Sequence, residues 1–220
     1  MGDPRAELVG AAIVRVVVHA TDLLVCVRMK LGRLLLRTVV GGFFVGHGTQ
    51  KLFGWFEGHG LDATAGLFGS LGLRPAKAHA LAAGLSETGG GAALVLGAET
   101  PLAASVLIAT MLTAIRKVHL PNGPWNTNQG YEYNLVLIAA VAALAETGPG
   151  SPSVDEARGS EMHGPKWALL ALALGAAGAL GADAVSSMFP EPEPQPEPVV
   201  AGTEAGAGPG AGNEGGDQTA

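Results

Sequence analysis

The chain has 220 residues, 48% of them hydrophobic and only 15% charged, with a formal net charge of −6 and a mean hydropathy of +0.32. One cysteine, Cys26, excludes an intrachain disulfide and any CxxC redox or zinc site. Much of the negative charge lies in the C-terminal tail, so the balance says little about partners, and no nucleic-acid partner is expected.

In chain order, residues 1–28 come first and are unlike the rest. Residues 9–27 are apolar in patches but carry Arg15, His19 and Asp22, without the apolar segment and small-residue cleavage site of a signal peptide. Val25 is too bulky to precede a lipoprotein cysteine at Cys26. Met29 stands just ahead of the first strong apolar run, so residues 1–28 read as an extension before a translation start at Met29.

Four apolar runs follow, beginning near Leu34, Ala76, Pro101 and Tyr131. A helix needs roughly 20 residues to cross the hydrocarbon core at about 1.5 Å per residue. The first three runs are that long, and the fourth is if its tyrosines sit in the interface. Residues 29–158 are therefore expected to form an all-α, polytopic membrane four-helix bundle. A polar link leads to an Ala/Gly-rich run from Lys166, with Asp183 near its end and no polar face. That predicts a fifth transmembrane helix within residues 159–187. Residues 188–220 alternate proline with glutamate and then turn glycine-rich, so a disordered acidic tail is expected. The expected location is the plasma membrane, with the lipid bilayer as the first partner.

If each run crosses once, the end of the first, the start of the second, the end of the third and the start of the fourth share one membrane side. That side collects His47, Gln50, Lys51, Arg74, Lys77, His79, Arg116, Lys117, His119, Tyr131, Glu132, Tyr133 and Asn134, with Trp55, Phe56 and Trp125 as an interfacial belt. Lys30, Arg33, Arg37, Glu99 and Glu146 fall on the other. Lysine and arginine counts tie between the two sides from Met29 onward, so orientation stays open. His47, Gln50 and Lys51 are spaced i, i+3, i+4 and share a helical face, and Thr110, Thr113 and Lys117 form a comparable stripe. Glu87 lies about 16 Å into its run, near the bilayer midplane, where a bare charge costs roughly 3 kcal/mol. It must be neutral or paired, and Lys51 is one candidate partner.

Blander explanations exist for most of these residues. Lys51, Arg116 and Lys117 can snorkel to headgroups, the tyrosines and tryptophans can anchor the interface, and His47 can bond a neighbouring helix. Glu87 has the strongest functional case, since intramembrane acids mark proton paths and ligand contacts. The small-xxx-small pairs Gly42/Gly46, Gly84/Thr88 and Ala93/Gly97 predict close helix packing and a compact bundle. Asparagines and glycines in PNGPWNTNQG predict a structured loop.

The His-Gly-x-Gln-Lys-Leu-Phe-Gly run at residues 47–54, Leu71-Gly72, Glu87-x-Gly-Gly-Gly, Lys117-x-His119 and Gly-Pro-Gly before Ser153-Val154-Asp155 resemble the DoxX family of small bacterial membrane proteins. The resemblance spans about residues 31–158. It implies a four-helix membrane bundle and an association with membrane redox complexes, the family being named for a subunit of a thiosulfate:quinone oxidoreductase. The sequence has no dinucleotide fingerprint and no metal cluster, so electron transfer would need a bound quinone or a redox partner subunit. The resulting expectation is a quinone-interacting or accessory subunit of a DoxX-type oxidoreductase, without a covalent cofactor and without a metal. Glu87 and Lys51 are the expected catalytic pair, with His47, Gln50, Lys117, His119 and Tyr131 around the ligand. A non-catalytic assembly or scaffold protein is the alternative, so enzymatic activity itself stays open; a small transporter and a haem carrier through His47 and His119 are weaker ones.

Overall fold

The computed structural model describes residues 4–190, with side chains for residues 14–19 and 31–190. Every regular element among the described residues is helical. The expected tail falls almost wholly in residues 191–220, outside the described residues, as do most side chains of the expected N-terminal extension. The first helix, α1, runs Pro4–Phe53, 50 residues, and passes through Met29 without interruption.

A short helix in the first link, α2 (Gly60–Ser70), was not anticipated from the sequence. The second run forms α3 (Ala76–Leu96), with Pro75 at its start and Gly97 in the left-handed region at its end (φ 63°), where glycine lacks the Cβ penalty. The third forms α4 (Thr100–Ala114), with Pro101 in its first turn, prolonged by a π-helical turn at Ile115–His119 and a 3-10 turn at Leu120–Asn122. α5 (Glu132–Thr147) has 16 residues. The polar link contains α6 (Val154–Arg158), capped by Ser153 Oγ accepting from the Glu156 amide at 3.1 Å. The last run forms α7 (Pro165–Ser187), longer than the apolar stretch alone. The link from Leu120 to Tyr131 is ordered as expected, with the Tyr131 and Glu132 amides bonded to the carbonyls of Gly123 and Pro124.

α1 lies along α3, and α4 is the central helix, packed against α3, α5 and α7. Phe44, Leu94, Leu107, Ile108, Val141 and Leu144 are almost fully buried between them. The α1–α3 approach is set by small residues: Gly84 and Thr88 meet α1 as read from the sequence, but on α1 the Gly42/Gly46 pair is not the one used. Gly42 and Gly46 have open space where a Cβ would stand. The backbones meet instead at Gly41 and Gly48: a Cβ on Gly41 would fall 2.5 Å from the Gly91 carbonyl, and one on Gly48 2.7 Å from that of Gly84. Positions i and i+7 of α1 thus face α3, whereas i+1 and i+5 turn away from it. Gly97 closes α3 and also packs tightly, since a Cβ there would fall 2.6 Å from Ser153 Cβ and 2.9 Å from Pro149 Cβ.

At the end opposite the polar cluster, the segment after α5 ties three helices together. Arg37 on α1 is 3% exposed and donates to the carbonyls of Pro149 (3.0 Å) and Pro152. Asp155, 1% exposed, accepts from the amides of Glu99 (2.8 Å) and Thr100 (3.2 Å) and from Thr100 Oγ1 (3.0 Å). A carboxylate there satisfies otherwise orphaned donors at the start of α4 and meets the positive end of its dipole.

Two helical stretches among the described residues are long and apolar enough to cross a membrane, Thr100–Asn122 and Pro165–Ser187.

Candidate functional site: a polar-ended cavity between the helices

A cavity of about 560 Å³ lies among α1, α3, α4, α5 and α7, with α2 along its edge. Its wall is mostly apolar, from Phe44, Leu67, Phe68, Val106, Met111 and Leu137 among others. Into it come His47, Lys51, His79, Glu87, Lys117, His119, Tyr133 and Asn134. Of the polar residues that crossing parity gathers on one side, His47, Lys51, His79, Lys117, His119, Tyr133 and Asn134 line this cavity, whereas Gln50, Arg74, Lys77, Arg116, Tyr131 and Glu132 do not.

Glu87 is 2% exposed and paired: Lys51 Nζ lies 2.6 Å from its Oε2. The glycine contacts that draw α1 onto α3 place these side chains opposite one another. A hydrogen bond of 3.1 Å joins His47 Nδ1 and Gln50 Oε1, while Gln50 Nε2 donates to the Phe56 carbonyl at 3.1 Å. Gln50 thereby holds the turn after α1 and does not line the cavity. Tyr131 does not line it either; it packs on the hydrophobic core at the start of α5. Tyr133, two residues on, lines the cavity in its stead, and sequence spacing alone gave no reason to prefer it.

Lys117 is held by the last helix. Its Nζ lies 2.9 Å from Asp183 Oδ1, and Arg116 pairs with the other oxygen of the same carboxylate while donating to the Ala179 carbonyl at 3.3 Å. These cations stand on the π-helical turn, a widened turn found often at functional sites. His119 Nδ1 bonds the Gln129 carbonyl at 2.7 Å. Asn134 is 7% exposed, with its Nδ2 3.4 Å from Met111 Sδ. His79 Nε2 sits 3.0 Å from the Arg74 carbonyl and 3.2 Å from Ser186 Oγ, linking α3 to the end of α7.

Sequence reasoning put His79, Tyr133 and Asn134 on the right side without assigning them to the site. Asp183 was missed, although extending the crossing parity to the fifth run would have placed it on this side.

α2 edges the cavity with Leu67 and Phe68 and is tied to α3 on the surface, where Lys77 Nζ donates to Asp62 Oδ1 at 2.8 Å. That hydrogen bond, reinforced by the lysine's charge, holds the Asp62 carboxyl below its usual range.

The arrangement can hold an amphipathic molecule with an apolar body and hydrogen-bond acceptors at one end. Among the described residues no cluster of three or more histidine, cysteine or acidic side chains is arranged to hold a metal ion.

No curated protein and no solved structure matches the chain. A family model does: residues 32–120, from α1 to the end of the π-helical turn and Leu120, match the model described as DoxX. That span contains Lys51, Glu87, Arg116, Lys117 and His119 but neither α5 nor α7. Residues 32–120 thus carry a DoxX-like domain, and the DoxX family is membrane-associated.

Proposed function

We propose that this is a multi-pass plasma-membrane protein whose cavity binds a quinone, as a quinone-interacting or accessory subunit of a membrane redox complex. The carrying observation is the cavity itself: an apolar chamber of about 560 Å³ into which Lys51, held by Glu87, presents ammonium protons. Support for crossing comes from the outer surface, where Leu35, Val39, Phe43, Leu85, Leu102, Val136 and Leu169 are exposed across α1, α3, α4, α5 and α7. The fold then reads as a four-helix bundle of α1, α3, α4 and α5, with α7 as a fifth span. At 16 residues α5 extends about 24 Å, so Tyr131 and Tyr133 would complete its crossing in the interface.

The donors fit a quinone ring. Lys51 Nζ would donate to one carbonyl, and Lys117 Nζ offers a further donor at the same end of the chamber. Glu87 orients Lys51, whose N–H groups stand where reduction of the ring would develop negative charge. A bound quinone would supply the two-electron carrier chemistry. Protein in phosphatidylcholine nanodiscs should bind decylubiquinone saturably, and Lys51→Met should weaken that binding while the folded yield stays measurable. Absence of saturable binding by the unaltered protein would reject the reading.

The ion pair also favours a second reading. A buried Lys51–Glu87 bridge locks α1 to α3 and would serve a non-catalytic scaffold equally well. In that case Glu87→Gln would lower the amount of folded protein and leave no ligand binding to lose.

A further inference from the structure

We propose that Asp183, on the helix beyond the family-matched span, sets the charge class of the cavity's ligand by cancelling the Lys117 cation, so that the chamber takes uncharged amphiphiles and rejects anionic ones. The inference rests on the cavity binding an amphipathic molecule as described above.

Two ammonium groups line the chamber, Lys51 and Lys117, and each has a carboxylate partner. The matched span supplies both lysines and Arg116 but only Glu87 as an acid among these groups. The second acid comes from α7, which also contributes Gly178 and Ala182 to the wall. α7 is seated there by close packing: a Cβ on Gly175 would meet the Ile108 side chain, and one on Gly178 would lie 3.0 Å from Ala109 Cβ. Asp183 therefore sits at a fixed distance from the π-helical turn. With both lysines compensated, an anionic head entering the apolar chamber meets no uncompensated lysine charge. It would lose its hydration for little in return. A neutral head with carbonyl acceptors still finds N–H donors. Arg116 is the most exposed member of the trio, with a side chain 39% exposed, and it also spends a donor on the Ala179 carbonyl.

Removing the Asp183 charge leaves Lys117 uncompensated toward the chamber. Replacing Lys117 as well returns the local charge to its original value. The test uses the full chain in phosphatidylcholine nanodiscs with two radiolabelled probes, neutral decylubiquinone and anionic dodecanoate, at neutral pH and in equal lipid. Unaltered protein should bind decylubiquinone and exclude dodecanoate. Asp183→Asn should raise the dodecanoate-to-decylubiquinone affinity ratio about tenfold or more, because an opposite charge in a low-dielectric site acts strongly. The double variant Asp183→Asn/Lys117→Met should return the ratio to its starting value, which a general loosening of α7 would not do. Unaltered protein that binds dodecanoate as tightly as decylubiquinone would overturn the proposal. So would an unchanged ratio in Asp183→Asn, or a double variant that fails to revert, and in those outcomes decylubiquinone binding by the unaltered protein survives. If no variant binds either probe, the cavity reading falls and this inference with it.

Discussion

Replacing Gly48 with alanine should weaken the α1–α3 seam, whereas the same change at Gly42, six residues earlier on the same helix, should not. At Gly48 the new methyl would stand 2.5 Å from the Thr88 amide nitrogen and 2.7 Å from the Gly84 carbonyl, both backbone atoms that cannot swing aside. The helices must separate, and the overpacking costs about 1–3 kcal/mol. Gly91→Ala should behave alike, since its methyl would meet the Gly41 carbonyl at 2.6 Å. At Gly42 nothing lies within 4 Å, and alanine gains helix propensity of about 0.5–1 kcal/mol over glycine. The sign of the effect therefore differs between two glycines on one helix. For a chain of this size each kcal/mol moves the apparent Tm by about 2–4 °C. Thermal unfolding in mild detergent, followed by tryptophan fluorescence, should show losses of about 2–12 °C for Gly48→Ala and Gly91→Ala and none for Gly42→Ala. Equal losses at Gly42 and Gly48 would refute the packing face assigned to α1.

The same unfolding assay reads three further expectations. Lys51→Met and Glu87→Gln should each destabilise by about 2–4 kcal/mol, and the double variant should recover part of that loss, because a lone buried ion costs more than an absent pair; strictly additive effects would deny the coupling. Asp155→Ala should cost about 2–4 kcal/mol, since it leaves two amides and a hydroxyl buried at the start of α4 without an acceptor, and a Tm within a degree of the original would show that the clasp is not needed. The Asp62–Lys77 contact should weaken on acidification. A carboxyl held below its ordinary value of 3.8 contributes above that pH and loses its contribution as pH falls through the depressed value. A small drop in apparent Tm between about pH 5 and pH 2 should accordingly be reduced in Asp62→Asn and in high salt, and an undiminished drop would place the acid response elsewhere.

Much of this fold is legible from residue order because apolar runs of membrane-spanning length leave few alternatives. α3, α4 and α5 begin within a residue of where the runs begin, and parity alone gathers His47, Lys51, Lys117 and His119 at one end. Glu87 was legible as either neutral or paired, and the structure pairs it with Lys51. What escaped depends on rotation about a helix axis and on distant partners. Gly41 and Gly48 do not form the familiar four-residue spacing, and only the neighbouring helix decides which glycine face is used. Tyr131 and Tyr133 are equivalent in the sequence, yet the start of α5 turns one into the core and the other toward the cavity. Asp183 seemed merely the polar end of an apolar run, because its partners on the π-helical turn lie more than sixty residues away in sequence.

Asp155 reaches the Thr100 amide across 55 residues of chain. During synthesis at about 5–20 residues per second, α4 must wait several seconds before its closing carboxylate leaves the ribosome. A fragment ending at Leu120 would keep every residue of the family match yet lack both that carboxylate and the carbonyls that receive Arg37. The family-matched span therefore depends on contacts from beyond it, and truncations meant to isolate it should stop no earlier than Gly159, after α6.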